Sequence, residues 1–147
     1  MYTTAGKRRD PYMTYNFMVE IEGLIVGGFS EVSGLGSEIE LESYQEGGLN
    51  TYTHKFPKRT IYTNLVLSRG ITESDKLWQW YRDASEGTIV LRNGTITLLD
   101  SQGQSRMWWH FKQAFPVKWQ APQLNAQNAT EVAIQRIELV HQGVYQL

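Results

Sequence analysis

Cysteine is absent from this 147-residue chain, which excludes a disulfide scaffold, a Cys-ligated zinc site and a thiol nucleophile together. Long apolar runs are missing too: no stretch approaches the ~20 residues that span a bilayer, so no membrane span is expected. An excess of either charge is also lacking. The 14 Lys and Arg nearly cancel the 15 Asp and Glu, for a formal net charge of −1. A near-neutral chain is no general nucleic-acid binder, because neutralising phosphates takes surplus cations. Lys7, Arg8 and Arg9 have no hydrophobic stretch behind them, so synthesis in the cytoplasm without a signal peptide is expected.

What the chain does have is an ordinary apolar share, 41%, and enough length to bury roughly two-thirds of its unfolded surface. One domain over residues 1–147 is expected, with a basic arm at 1–10. Tyr15, Phe17, Val19 and Ile21 alternate with Asn16, Glu20 and Glu22, the period of a half-buried strand closed by Gly23. A second run, Leu24 to Val26, stops at Gly27 and Gly28, and a glycine-containing connector leads to Gly36. Residues 37–44 alternate again, with Ile39 and Leu41 on one side and Glu38, Glu40 and Glu42 on the other. Residues 45–58 hold no period and read as an extended loop. At about 14 residues it exceeds usual connections, and such loops tend to carry function or disorder. Strand composition returns over 60–69.

One helix is expected. Thr72, Glu73, Ser74 and Asp75 resemble a capping box, Leu77, Trp78, Tyr81 and Ala84 share a face, and Gly87 ends it. Beyond it, 95–99 and 106–112 flank a hairpin turn containing Gly103. Pro116 and Pro122 bracket a short extended piece with Trp119. Residues 131–140 form a last strand whose phase slips near Arg136, as at a bulge. The expected class is a mainly antiparallel β domain with one helix.

No catalytic constellation accompanies this pattern. His54, His110 and His141 are dispersed, with no metal-type spacing. Glu38, Glu40 and Glu42 lie on one strand face and read as a solvated acidic surface. Gly34-Leu35-Gly36 lacks the third glycine and following helix of a dinucleotide fingerprint, and Ser30 and Ser33 lack a nucleophile-elbow frame. No enzyme, cofactor or metal is expected. Trp108, Trp109 and Trp119 offer an aromatic platform for sugars, against which stands the ordinary reading of core plus subunit interface.

The order of these pieces resembles the contractile-tail tube proteins, which form the inner tube of contractile phage tails and extracellular contractile injection systems. The likeness runs from the alternation at Tyr15–Gly23 through Gly28-Phe29-Ser30-Glu31-Val32-Ser33-Gly34-Leu35 and Tyr44-x-Glu46-Gly47-Gly48. It continues in Lys55-Phe56-Pro57, Leu67-x-Arg69-Gly70, Leu77-Trp78-x-Trp80 and Leu98-Leu99-Asp100-x-x-Gly103. It closes with Trp109-x-Phe111-x-x-Ala114-Phe115-Pro116-x-Lys118-Trp119 and Glu138-Leu139-x-His141-x-Gly143.

The resemblance implies the tail-tube fold, an antiparallel β-sandwich or barrel with one flanking α-helix, related to the ring protein of type VI secretion. It also implies a structural, non-enzymatic subunit whose hexameric rings stack into a conduit for DNA or effectors inside a sheath. Expected partners are copies of itself, the sheath protein and a baseplate-side initiator ring. Cargo or DNA would pass through without sequence-specific binding, and the protein would end in a phage tail or an extracellular particle. Two alternatives stand beside this: the initiator ring itself, and a carbohydrate-binding β-sandwich module. In-ring strand pairing would satisfy open sheet edges. Glu46, Gly47, Gly48, Leu49, Asn50, Thr51 and Tyr52 are the candidates for ring stacking. Glu38, Glu40 and Glu42 are candidates for a lumen- or sheath-facing acidic surface.

Overall fold

The alternation of the first segment becomes strand β1, Phe17–Ile21, with Val19 and Ile21 buried and Glu20 exposed. A computed structural model describes residues 16–44, 54–70, 76–122 and 133–146. On one edge β1 pairs with β2, Leu24–Phe29; on the other it pairs with β7, Arg92–Leu99. β2 does not stop at Gly27 and Gly28 as expected. It runs through both, because Val19 and Met18 face them across the ladder.

After β2 a single residue, Ser30, turns the chain into β3, Glu31–Ser33. Ser30 donates its backbone N–H to the Ser68 carbonyl at 3.0 Å and its hydroxyl to the same oxygen at 3.2 Å. β3 pairs with β6, Leu65–Gly70; β6 with β9, Ile134–Val140; β9 with β8, Ser105–Gln120; and β8 with β7. Every pairing is antiparallel, and with β2 and β3 consecutive at the Ser30 corner the circuit closes into a barrel, which leaves few open edges. Val19, Ile21, Phe29, Leu65, Leu67, Ile96, Phe111, Ile137 and Leu139 fill it.

β8 is one continuous strand where two pieces were expected. Its corner is a bulge. Lys112 and Gln113 together face Asn93, Gln113 takes φ +52°, and its N–H donates to Asn93 Oδ1 at 2.9 Å. Beyond the corner β8 leaves β7 and joins β9. Pro116 sits where the ladder slips by one residue, at Val117, a place that tolerates a missing donor. The bulge expected near Arg136 is not there: β9 pairs with β6 in unbroken register, and the phase shift of its apolar residues arises because Ile134 is exposed while Ile137 and Leu139 are buried. β10, Gly143–Gln146, was not anticipated and covers the remaining edge of β8.

The hairpin between β7 and β8 turns as expected. Asp100 accepts the N–H groups of Gln104 and Gln102 and an Arg106 bond at 3.0 Å. These bonds, Gln104's first, hold its carboxyl below the usual range.

The helix α1, Lys76–Ser85, packs across β8; the expected capping box lies outside the described residues. Leu77 is buried as expected, but its deep aromatic partner is Trp80, not Trp78. Trp80 donates its indole N–H to the Val90 carbonyl at 2.9 Å, whereas Trp78 meets Trp119 edge-on at 5.4 Å near the surface. The two lie about 200° apart on the helix wheel; Trp80 falls three residues after Leu77 and four before Ala84, on the face that meets the barrel, and its indole bond holds it there. The chain leaves the helix as expected, with Gly87 donating to the Ala84 carbonyl.

Candidate self-assembly surface

Strands β4, Ser37–Tyr44, and β5, His54–Tyr62, pair only with each other among the described residues. β5 corrects the expected loop at 45–58: residues 54–58 are strand, held by the register Tyr44↔His54, Ser43↔Lys55, Glu42↔Phe56 and Leu41↔Pro57. It also splits the expected strand at 60–69, because Thr63 and Asn64 separate β5 from β6. The stacking candidates Glu46, Gly47, Gly48, Leu49, Asn50, Thr51 and Tyr52 lie outside the described residues.

Residues directly opposite in an antiparallel ladder share a face, so the register sorts the hairpin's side chains. One face carries Ile39, Leu41, Thr60 and Pro57. The other carries Glu38, Glu40 and Glu42 beside Ile61, Arg59 and Phe56. The acidic side is therefore not acidic throughout. Arg59 Nε lies 2.9 Å from Glu40 Oε1, and Tyr44 stacks on Phe56 at 5.3 Å and on His54 at 5.5 Å.

Neither face meets a core among the described residues. Ile39 is 58% exposed and Leu41 53%, and Tyr44, Phe56 and Ile61 are exposed as well. A lone two-stranded hairpin is marginal in water, and contiguous apolar exposure marks an interaction surface. A long two-edged ribbon of this kind offers an assembly surface. Its root is fixed to the barrel: Tyr62 contacts the His141 ring edge-on, and His141 Nε2 bonds the Thr63 carbonyl at 2.8 Å.

The other candidates are not brought together. His110 bonds Thr95 at 2.8 Å on the barrel's outer face, His54 is in the hairpin, and His141 is the root clamp. No cluster of three or more His, Cys, Asp or Glu forms among the described residues. An open groove of about 650 Å³ between β1, β7 and β8 is lined by Glu20, Glu22, His110 and Lys112. The Lys112 ammonium is raised above its usual range by its bond to Tyr145. Burial lowers Arg69, whose guanidinium lies 5.0 Å from the Phe29 ring centre. The tryptophans build no shared sugar platform: Trp108 is exposed, Trp109 packs on the core and Trp119 joins Trp78 and Tyr81 beside the helix.

Sequence reasoning missed a second apolar patch. Ile89, Val90 and Leu91, between α1 and β7, are 53%, 40% and 50% exposed. The signal was present as three consecutive aliphatics outside any expected element.

Among solved structures, the chain is similar to one in the cryo-EM structure of the anti-feeding prophage baseplate, 6-fold symmetrised. The identity is 25%, the TM-score 0.77, and the match covers 95% of this chain and 97% of that one. It is equally similar to a chain of the PVC sheath–tube complex of an extracellular contractile injection system in the extended state: 25% identity, TM-score 0.77, 99% of both chains. Hcp1 from Flavobacterium johnsoniae shares the fold at 11% identity and TM-score 0.55, over 90% of this chain and 94% of that one. No curated protein matches the sequence. The profile described as T4-like virus tail tube protein gp19 matches residues 13–145. That match takes in every described strand but the last residue of β10, so the chain belongs to the T4-like virus tail tube protein family and has its structural role in the tail tube.

Proposed function

We propose that this tube subunit closes into hexameric rings, and that the rings stack into the hollow inner tube of a contractile tail or injection particle. The observation that carries the reading is the β4–β5 hairpin, a folded ribbon with apolar side chains on both faces and no partner element in its own chain among the described residues. The symmetry is supported by the six-fold symmetrised baseplate to which the chain is similar, and the surrounding sheath by the sheath–tube complex. The work of penetration comes from the sheath, and the subunit contributes stiffness and a bore, which asks for no chemistry from its side chains.

Within this reading residues 46–52 form the contact to the next ring. The face with Glu38, Glu40 and Glu42 turns toward the lumen, where repeated carboxylates repel DNA or acidic cargo; the alternative sets it against basic sheath residues. The initiator ring at the baseplate is the second reading, favoured by the baseplate similarity; copy number per particle separates it from the bulk subunit. Negative-stain microscopy of the purified protein tests the proposal: annular particles and hollow tubes are expected, and a monomer at every concentration contradicts it.

A further inference from the structure

We infer that the aliphatic face of the β4–β5 hairpin in one copy docks on residues 88–91 of a second copy, which makes the contact around the ring head-to-tail. This rests on the tube reading above and names the two surfaces that meet. Of the exposed large apolar side chains, Ile39 and Leu41 sit on that face of the hairpin and Ile89, Val90 and Leu91 on the segment; Tyr44, Phe56 and Ile61 belong to the opposite face with the glutamates. The two docking patches together hold five of the thirteen such residues among those described.

The two patches match in chemistry. Ile39, Leu41, Pro57 and Thr60 bring no charge to the middle of the hairpin face, where the charged Lys55 stands farther out opposite Ser43 and is exposed, and Thr88, Ile89, Val90 and Leu91 bring none to the strip. Their contact therefore buries no unpaired ion, whose desolvation would cost several kcal/mol. The strip is also preformed, which reduces the ordering cost of binding. Thr88 N–H donates to the Asp83 carbonyl at 2.8 Å, Val90 O accepts the Trp80 indole at 2.9 Å, and β7 starts directly afterwards at Arg92.

A head-to-tail contact that uses both patches is the arrangement the tube reading requires, because it closes by rotation into a ring. The hairpin springs from β6 and the strip feeds β7, with β9 and β8 between them in the wall. The roots lie in neighbouring cross-strand rows: Leu65 and Pro116 both face Leu139, and Arg92 faces Ala114, two residues away from Pro116. Two different patches on different sectors of one barrel make a heterologous contact, which closes by rotation into a ring. A two-fold hairpin-to-hairpin contact would leave residues 88–91 bare.

The absence of cysteine gives a clean test. Leu41→Cys and Val90→Cys each place one thiol at an exposed position, so both variants are expected to fold and assemble like the parent. Tubes grown from an equal mixture and then oxidised are expected to yield a covalent dimer that neither variant yields alone. The double variant is expected to yield a ladder of larger multimers. Normal tubes without that dimer, with the pair Ile39→Cys and Leu91→Cys equally silent, would overturn the inference and leave the tube reading standing. A dimer from Leu41→Cys alone would overturn it in favour of a two-fold contact. Failure of the unmodified chain to form any ring or tube would remove the tube reading, and this inference with it.

Discussion

His141 clamps Thr63. Gly143 N–H can only donate, so His141 Nδ1 accepts it at 3.1 Å, and Nε2 therefore carries the proton that bonds the Thr63 carbonyl at 2.8 Å. The neutral ring in this one tautomer ties the last barrel turn to the residue where the hairpin leaves β5. Replacing His141 by Ala leaves a buried glycine N–H unpaired, at a cost of about 2 kcal/mol. The measurement is urea unfolding beside microscopy, with lower stability and fewer tubes expected together.

The β8 corner depends on Asn93, whose side chain holds the Gln113 N–H while Gln113 occupies φ +52°. Asn93→Ala removes that bond and is expected to cost about 1 kcal/mol. Gln113→Val, with a β-branched side chain where left-handed backbone is needed, is expected to cost on the order of 1–2 kcal/mol. Gln113→Gly is expected to be tolerated. Midpoints of denaturant unfolding for the three variants check the ranking.

Deletion of residues 47–53 is expected to leave rings or monomers in solution but no long tubes, because it removes the candidate axial contact while sparing β4 and β5. Negative-stain images decide: tubes of parental length would show that stacking does not use this segment.

Substituting Glu38, Glu40 and Glu42 by Gln separates the two placements of the acidic face. If it lines the bore, cargo retention changes while sheath assembly stays intact. If it meets the sheath, sheath assembly falls first. The Arg59 bond to Glu40 makes Glu38 and Glu42 the expected main contributors, since their charges are not paired across the ladder.

The strands that bury one face were legible in the sequence because a period of two is a direct imprint of a wall with one dry side. Val19 and Ile21 show it in β1. The hairpin at Asp100–Gln104 was legible for a different reason, a glycine and an aspartate that serve the turn itself. Residues 54–58 were not, since both faces of β5 are exposed in the single chain and no core imposes a period on them. β10 was hidden by its length of four residues, and the continuity of β8 by Pro116, which sits at a ladder slip. Trp80 was a candidate as good as Trp78 on spacing, since Leu77, Trp80 and Ala84 also share a face, and what decides between them is burial and the indole bond to Val90, ten residues away. Of the assembly surface, the acidic stripe and the apolar alternation of β4 were readable; the strip at residues 88–91 showed in the sequence only as three aliphatics outside any element, a run that is as often core as surface until its exposure is known.

Amide hydrogen exchange on dispersed and assembled protein tests the central claim most directly. Assembly is expected to slow exchange across β4 and β5 strongly while the barrel amides of β6, β7 and β9 keep the protection they already have. Equal protection of the hairpin in both states would contradict the account, because it would mean that this ribbon needs no sibling to complete it.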